Sequence, residues 1–269
     1  MVRGTHHAQI RWISAMITIH WNLLLSPGWS EEEFDDWYLN QHTNYGKNSP
    51  GIVRYCVNRA IREQPLAARG RAFRVAEECW RDFEAAEQSW NLPLGHAVLG
   101  DAMANLGMLD ARSLPGIAIT VDRLFEVSQP ASFNPLRRGF MHRNDGTISK
   151  FLAFGTSKAG DGIGDWYASE FSNLGLCSAA RGHVFGTTLG RRLQVGRLIT
   201  IPGEAGQVLY DWALELWFDD NPTARQFLDG PEFVQMWSAL ERESTNVSAA
   251  LYRGQEMLIV ADPIPHVDD

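Results

Sequence analysis

Cysteine is scarce in this 269-residue chain: Cys56, Cys79 and Cys177 stand far apart and form no C-x-x-C pair. Neither a disulfide framework nor a structural zinc site is expected, and a reduced, cytoplasmic setting is the reading that follows. Basic runs are missing as well. Lys and Arg number 24 against 32 Asp and Glu, a formal net charge of −8. A phosphate backbone needs clustered cations, so nucleic acid is not expected as a partner. The most apolar stretch, Trp12 to Leu25, carries Ser14, Thr18, His20 and Asn22. It is too short to span a bilayer. Met1 to Ile10 lacks the charged-then-apolar pattern of a secretory leader, so no membrane partner is expected either. Metal-ligand spacings are absent: His6-His7 and His266 lie in terminal segments, and no acidic or His pair has a recognised spacing. What is plentiful is aromatic and apolar: ten Trp and thirteen Phe in a chain that is 45% hydrophobic. That composition supports a large core or an aromatic-lined cavity.

Internal similarity organises the chain. Asp36-Trp37-Tyr38 recurs as Asp165-Trp166-Tyr167, with Phe34 matched by Ile163. Both segments place apolar side chains at i, i+3 and i+4, one stripe of a helix. Ser30 followed by Glu33 reads as a capping box for the first copy. Ala76-Glu77-Glu78-Cys79-Trp80 resembles Ala213-Leu214-Glu215-Leu216-Trp217, and Leu99, Ala102, Met103 and Leu106 are spaced like Phe233, Met236, Trp237 and Leu240. Chance recurrence in a Trp-rich chain is the competing account, and three correspondences in the same order weigh against it.

Strands are expected over 15–22, 52–59, 116–125, 150–155, 181–187 and 257–261, beside the two Trp-bearing segments. Each half then reads β-α-β-β-α-β, the ferredoxin-like unit. The expected fold is α+β: two tandem ferredoxin-like repeats packed in dimeric α/β-barrel fashion. The first repeat covers 11–127, a Pro/Asn/Arg/Gly-rich linker 128–147, and the second repeat 148–262. Gly160-Asp161-Gly162-Ile163-Gly164 is a flexible turn rather than a dinucleotide loop. Trp166 and Tyr167 fill the place of the third small residue.

Ser30-x-x-x-Phe34-x-x-Trp37-x-x-x-x-His42, then Pro50-Gly51-Ile52-x-x-Tyr55, resembles the EthD-type branch of dimeric α/β-barrel proteins. The Glu78-x-Trp80 and Glu215-Leu216-Trp217-Phe218-Asp219 segments resemble that family's Glu-Leu-Trp-Phe-Asp strand. The second half departs from the pattern, with Phe171 in place of His42 and no Pro-Gly turn. The resemblance implies a cavity between sheet and helices, usually without a tightly held cofactor. It also implies dehydratase, decarboxylase, isomerase or cofactor-free oxygenase chemistry on aromatic or polyketide-like molecules, and a homodimer.

The candidate residues follow from that resemblance and from strand alternation. His42 is the first candidate acid/base, since an imidazole exchanges protons near neutral pH; a helix-terminal His favoured by the dipole is the competing reading. On the first strand Thr18, His20 and Asn22 share one face and Ile17, Ile19 and Trp21 the other. His20, Arg54 and Glu78 are expected to line one cavity, with Arg181, His183 and Glu215 in a second. An internal ion-pair network is the alternative to catalysis for both sets. Asn58 joins Arg54 as a substrate contact, and Trp80 is either core or a stacking wall. The expected function is a cofactor-independent lyase, dehydratase or isomerase acting on an aromatic or polyketide-like small molecule, with His42, His20 and Glu78 catalytic. A binding protein without chemistry is the alternative, and after it a haem-binding barrel with His183 as iron ligand.

Overall fold

Alternation and capping in the sequence become register and layers in the computed structural model, which describes residues 17–23, 25, 28–69, 73–80, 83–105, 117–126, 148–158, 186–192, 212–218 and 220–259. The strands are β1 (Ile17–Leu23), β2 (Ile52–Ala60), β3 (Arg74–Trp80), β4 (Ile117–Glu126), β5 (Ile148–Ser157), β6 (Gly186–Arg192), β7 (Trp212–Phe218) and β8 (Ser244–Ile259). The helices are α1 (Glu31–Trp37), α2 (Thr43–Gly46), α3 (Phe83–Trp90), α4 (Pro93–Asn105), α5 (Asn221–Leu228) and α6 (Pro231–Arg242). A π-helical turn, Tyr38–His42, joins α1 to α2. No helix among the described residues is long and apolar enough to cross a membrane.

All strand pairings are antiparallel, and the sheet closes on itself in the order β1-β3-β2-β8-β5-β7-β6-β4. The first four strands thus lie in the order 4-1-3-2, and the last four repeat that order among themselves. Two seams join the halves, β2 against β8 and β4 against β6. The long β8 serves both halves: residues 244–254 pair with β5 and 252–259 with β2.

The capping box forms as the sequence predicts, with the Glu33 amide donating to Ser30 Oγ and the Ser30 amide to Glu33 Oε2. Gly51, after Pro50, has φ of +81°, a conformation that favours glycine. Apolar burial then sorts into three layers. Ile19, Trp21 and Leu23 of β1 pack with Phe34, Trp37, Tyr38, Tyr55 and Trp80 beneath the first-half helices. Phe151, Leu214, Leu216 and Phe218 meet Phe227, Phe233, Met236 and Trp237 of α5 and α6. Between them Val75, Leu152, Phe154, Ala250 and Tyr252 fill the barrel.

Two strand expectations need correction. β8 begins at Ser244 rather than near Met257. Its first half, Ser-Thr-Asn-Val-Ser-Ala-Ala, has little strand propensity of its own and is held by pairing with β5. The third strand of the second half is β7, as expected, but β6 runs Gly186–Arg192, later than the expected 181–187. Linker 128–147, the second Trp-Tyr helix and the Gly160–Gly164 turn lie outside the described residues.

Candidate active site and the charged barrel interior

β3 carries two adjacent glutamates, so one must face the helices and the other the barrel. Register decides which. Glu78 stands opposite Ile19 on one side and Tyr55 on the other, both of the helix-facing layer. It therefore does not join His20 and Arg54, as alternation had been expected to arrange; Glu77 takes that place. Glu78 accepts a hydrogen bond of 3.0 Å from Trp21 Nε1. Burial raises its pKa to about 7, with the Trp21 bond working against the rise.

Around Glu78 the shell is aromatic. Trp80 is fully buried on the same face, and its ring lies 6.4 Å from that of Trp90, which is 5.3 Å from Trp21. The indole N–H groups of Trp80 and Trp90 have no hydrogen-bond partner among the described residues. Tyr38 and Tyr55 share a hydroxyl–hydroxyl bond of 3.1 Å. Burial pushes both phenols upward, so both stay protonated. Gly46 makes room for this pair: a Cβ there would sit 3.0 Å from the Tyr55 ring.

His42 closes the set from the helix side. The π-helical turn stacks its ring on Tyr38, with centroids 5.2 Å apart and planes 26° from parallel. Its Nδ1 lies 2.7 Å from Asp101 Oδ2 on α4. Burial lowers the pKa of His42 and Asp101 partly offsets this, so the ring is neutral near neutral pH. An ionised carboxylate only accepts, so Nδ1 carries the proton and Nε2 is the basic nitrogen. Asp101 also accepts from Asn105 Nδ2 at 3.0 Å. Sequence reasoning missed Asp101. The available signal was that it is the sole carboxylate in the segment 93–105.

The other face of the sheet holds a buried charge network. Glu77 accepts from Arg54 Nη1 at 2.8 Å, from Asn58 Nδ2 at 2.6 Å and from Lys150 Nζ at 2.9 Å. Lys150 Nζ also lies 3.4 Å from Cys56 Sγ and 3.8 Å from Glu215 Oε1. Burial alone would raise Glu77, but Lys150, Arg54 and His20 outweigh it and hold the carboxyl well below the usual range. Burial opposes the charge on Lys150 too, yet Cys56 and Glu77 keep it firmly protonated. His20 packs on Phe154 in this interior. Donor atoms of His20, Glu77 and Glu215 lie within 4.8 Å of one another, a grouping from three strands that no linear spacing could show. Lys150 Nζ already makes the bonds to Glu77 that a cation would make there.

The fold thus separates the expected site residues into two groups. Glu78 and Trp80 lie on the helix side with His42; His20, Arg54, Asn58 and Glu215 lie in the barrel. Glu215 shares that interior with His20 instead of forming a second cavity. Arg181 and His183 lie outside the described residues.

Mixed helices on a curled antiparallel sheet define a ferredoxin-like barrel, and solved structures share that fold. An anthrone oxidase-like protein aligns with a TM-score of 0.55 at 9% identity, over 93% of this chain and 97% of its own. A candidate monooxygenase of Fusobacterium nucleatum subsp. nucleatum aligns with a TM-score of 0.51 at 8% identity, over 93% and 98%. Within that fold residues 26–106 match the EthD domain. An EthD family protein of Bacillus halodurans is 22% identical over 39% of this chain and 95% of its own, with a TM-score of 0.31. No curated protein matches the sequence.

Proposed function

We propose that the aromatic shell between β1–β3 and the first-half helices processes a small apolar molecule by proton transfer, without a bound cofactor. The reaction class is that of a lyase, dehydratase or isomerase on an aromatic or polyketide-like substrate. His42 acts as base through Nε2, Asp101 positions it, and Glu78 supplies or retrieves the proton. The observation that carries this is Glu78: a carboxyl near pKa 7, under tryptophan rings and beside the Tyr38–Tyr55 pair. A group poised near the working pH exchanges protons most effectively. In this reading His20, Arg54, Asn58 and Glu215 serve the barrel rather than the reaction.

The two halves, 11–127 and 148–262 with the linker 128–147, are proposed to be a tandem duplication; the repeated 4-1-3-2 order supports this. The barrel closes within one chain, so a homodimer would form through other surfaces than strand edges.

The test is incubation with a panel of anthrone-type and 3-oxo aromatic compounds in deuterium oxide, followed by NMR. Deuterium entering a carbon position, and its loss in His42→Ala and Glu78→Gln, is the expected result. No exchange with any compound, or exchange unaltered in both variants, overturns the proposal. A second reading, cofactor-free oxygenation, draws on the oxidase-like and monooxygenase names of the similar folds. It predicts oxygen uptake alongside the same loss.

A further inference from the structure

A cleft of about 1120 Å³ opens over the β2–β8 seam, between α1 of the first half and α5 of the second. It lies away from His42 and Glu78, neither of which lines it. Its charged residues are arranged in an unusual way. Arg59 of β2 stands directly opposite Arg74 of β3 on one side and Arg253 of β8 on the other. Directly opposed residues bring their Cβ atoms to about 5 Å, and like charges so placed repel. Three guanidinium groups in one row therefore call for anions.

Two of the three are supplied. Arg74 bonds Asp35 at 2.6 Å, and Arg59 pairs with Glu31 at 3.0 Å and Asp35 at 3.3 Å. Across the cleft Arg225 pairs with Glu63 at 2.8 Å and lies 3.8 Å from Asp229, while its Nε has no hydrogen-bond partner among the described residues. Arg253 and Arg62 also line the cleft, are exposed, and make no ion pair or side-chain hydrogen bond among the described residues. The lining carries five arginines, Arg59, Arg62, Arg74, Arg225 and Arg253, against four carboxylates, Glu31, Asp35, Glu63 and Asp229. Leu39, Val57, Ile61 and Phe73 provide an apolar wall beside them.

We propose that this cleft binds a small organic oxyanion, a carboxylate or phosphate on an apolar body. The anionic end completes the arginine row at Arg253, and the body lies against the wall containing Phe73. A guanidinium presents a planar fork that suits both oxyanions. The cleft is of the size that holds a small-molecule ligand. The proposal stands apart from the proton-transfer reading and survives or fails independently of it.

The experiment is calorimetric titration of the full chain with 1-naphthyl phosphate, 1-naphthoate and neutral 1-naphthol, repeated with Arg253→Gln. Both anions should bind saturably, more tightly than naphthol, and weaken with salt. Arg253→Gln should reduce their affinity about tenfold or more. Preference for one anion over the other identifies the oxyanion the cleft serves. The unliganded variant should melt no lower than the parent, because the substitution relieves repulsion from Arg59. Absence of saturable binding, equal affinity for naphthol, or unchanged anion affinity in the variant overturns the proposal. So does a drop in melting temperature that accounts for the lost binding, since Arg253 would then be a structural residue; charge-retaining Arg253→Lys, expected to bind between the parent and Arg253→Gln because it keeps the charge and loses the fork, checks this from the other side.

Discussion

Replacing Glu78 by Gln should stabilise the protein at alkaline pH and do little at acid pH. The carboxyl titrates at about 7 in the folded chain against an ordinary value of 4.5, chiefly because burial disfavours its charge. A raised carboxyl pKa means that the folded state binds the proton more tightly. The stability Glu78 contributes is therefore fully present below about 4.5 and is lost as pH rises through about 7. The gap corresponds to about 3 kcal/mol once both states are ionised, and to under about 1 kcal/mol near pH 5. Gln keeps a carbonyl oxygen for Trp21 Nε1 and cannot ionise, so it removes this penalty without opening a cavity. Urea denaturation of parent and variant at pH 5 and pH 8 isolates the effect, because every other titrating group cancels between the two. The variant's advantage should grow by about 2–3 kcal/mol between the two conditions. An advantage that does not change with pH, or one that shrinks, would refute the placement of Glu78 in an apolar shell. A variant that gains stability and loses proton exchange would show the trade expected of a strained functional group.

Asp101→Asn should lower the pKa of His42 further, since the carboxylate is what offsets burial there; an NMR titration of the ring measures it. With His42 already depressed, the stability it contributes is present above about 6.5 and lost as pH falls, and the variant should widen that loss. Lys150→Met leaves Glu77 buried with Arg54 as its remaining ion-pair partner among the described residues and should cost about 3–5 kcal/mol in denaturation experiments. Adding Glu77→Gln should recover part of that cost, and a double-mutant cycle without such coupling would dismiss the network. Ser30→Ala removes the hydroxyl arm of the capping box, leaving the residue-30 amide still donating to Glu33, and should cost about 1 kcal/mol in the same assay.

Local features were legible in the sequence. The Ser30–Glu33 cap, the Pro50-Gly51 turn and the two faces of β1 follow from neighbouring residues alone. The phase of β3 was not. Arg-Val-Ala-Glu-Glu-Cys-Trp contains no alternation, and only pairing with β1 assigns Glu78 to the helices and Glu77 to the barrel. Partners distant in the chain were hidden for the same reason. His42 and Asp101 lie 59 residues apart and Glu77 and Lys150 lie 73 apart. Lys150 is one of three lysines in the chain, yet nothing in Ser149-Lys150-Phe151 marks it as buried. The first part of β8, polar and small, takes its strand character from β5 rather than from itself.

That long strand also sets the order in which the molecule can be completed. β2 and β8 pair residues separated by roughly 200 positions, so this seam carries a large loop-closure cost before it returns any stabilisation. On a ribosome, β1, β3 and β2 can associate while β8 is still unmade, leaving the outer edge of β2 without its neighbour. An uncovered strand edge is a template for wrong pairings. The chain is thus most exposed to misassembly late in synthesis, and the final closure of the circle is the step that a slow refolding phase would report.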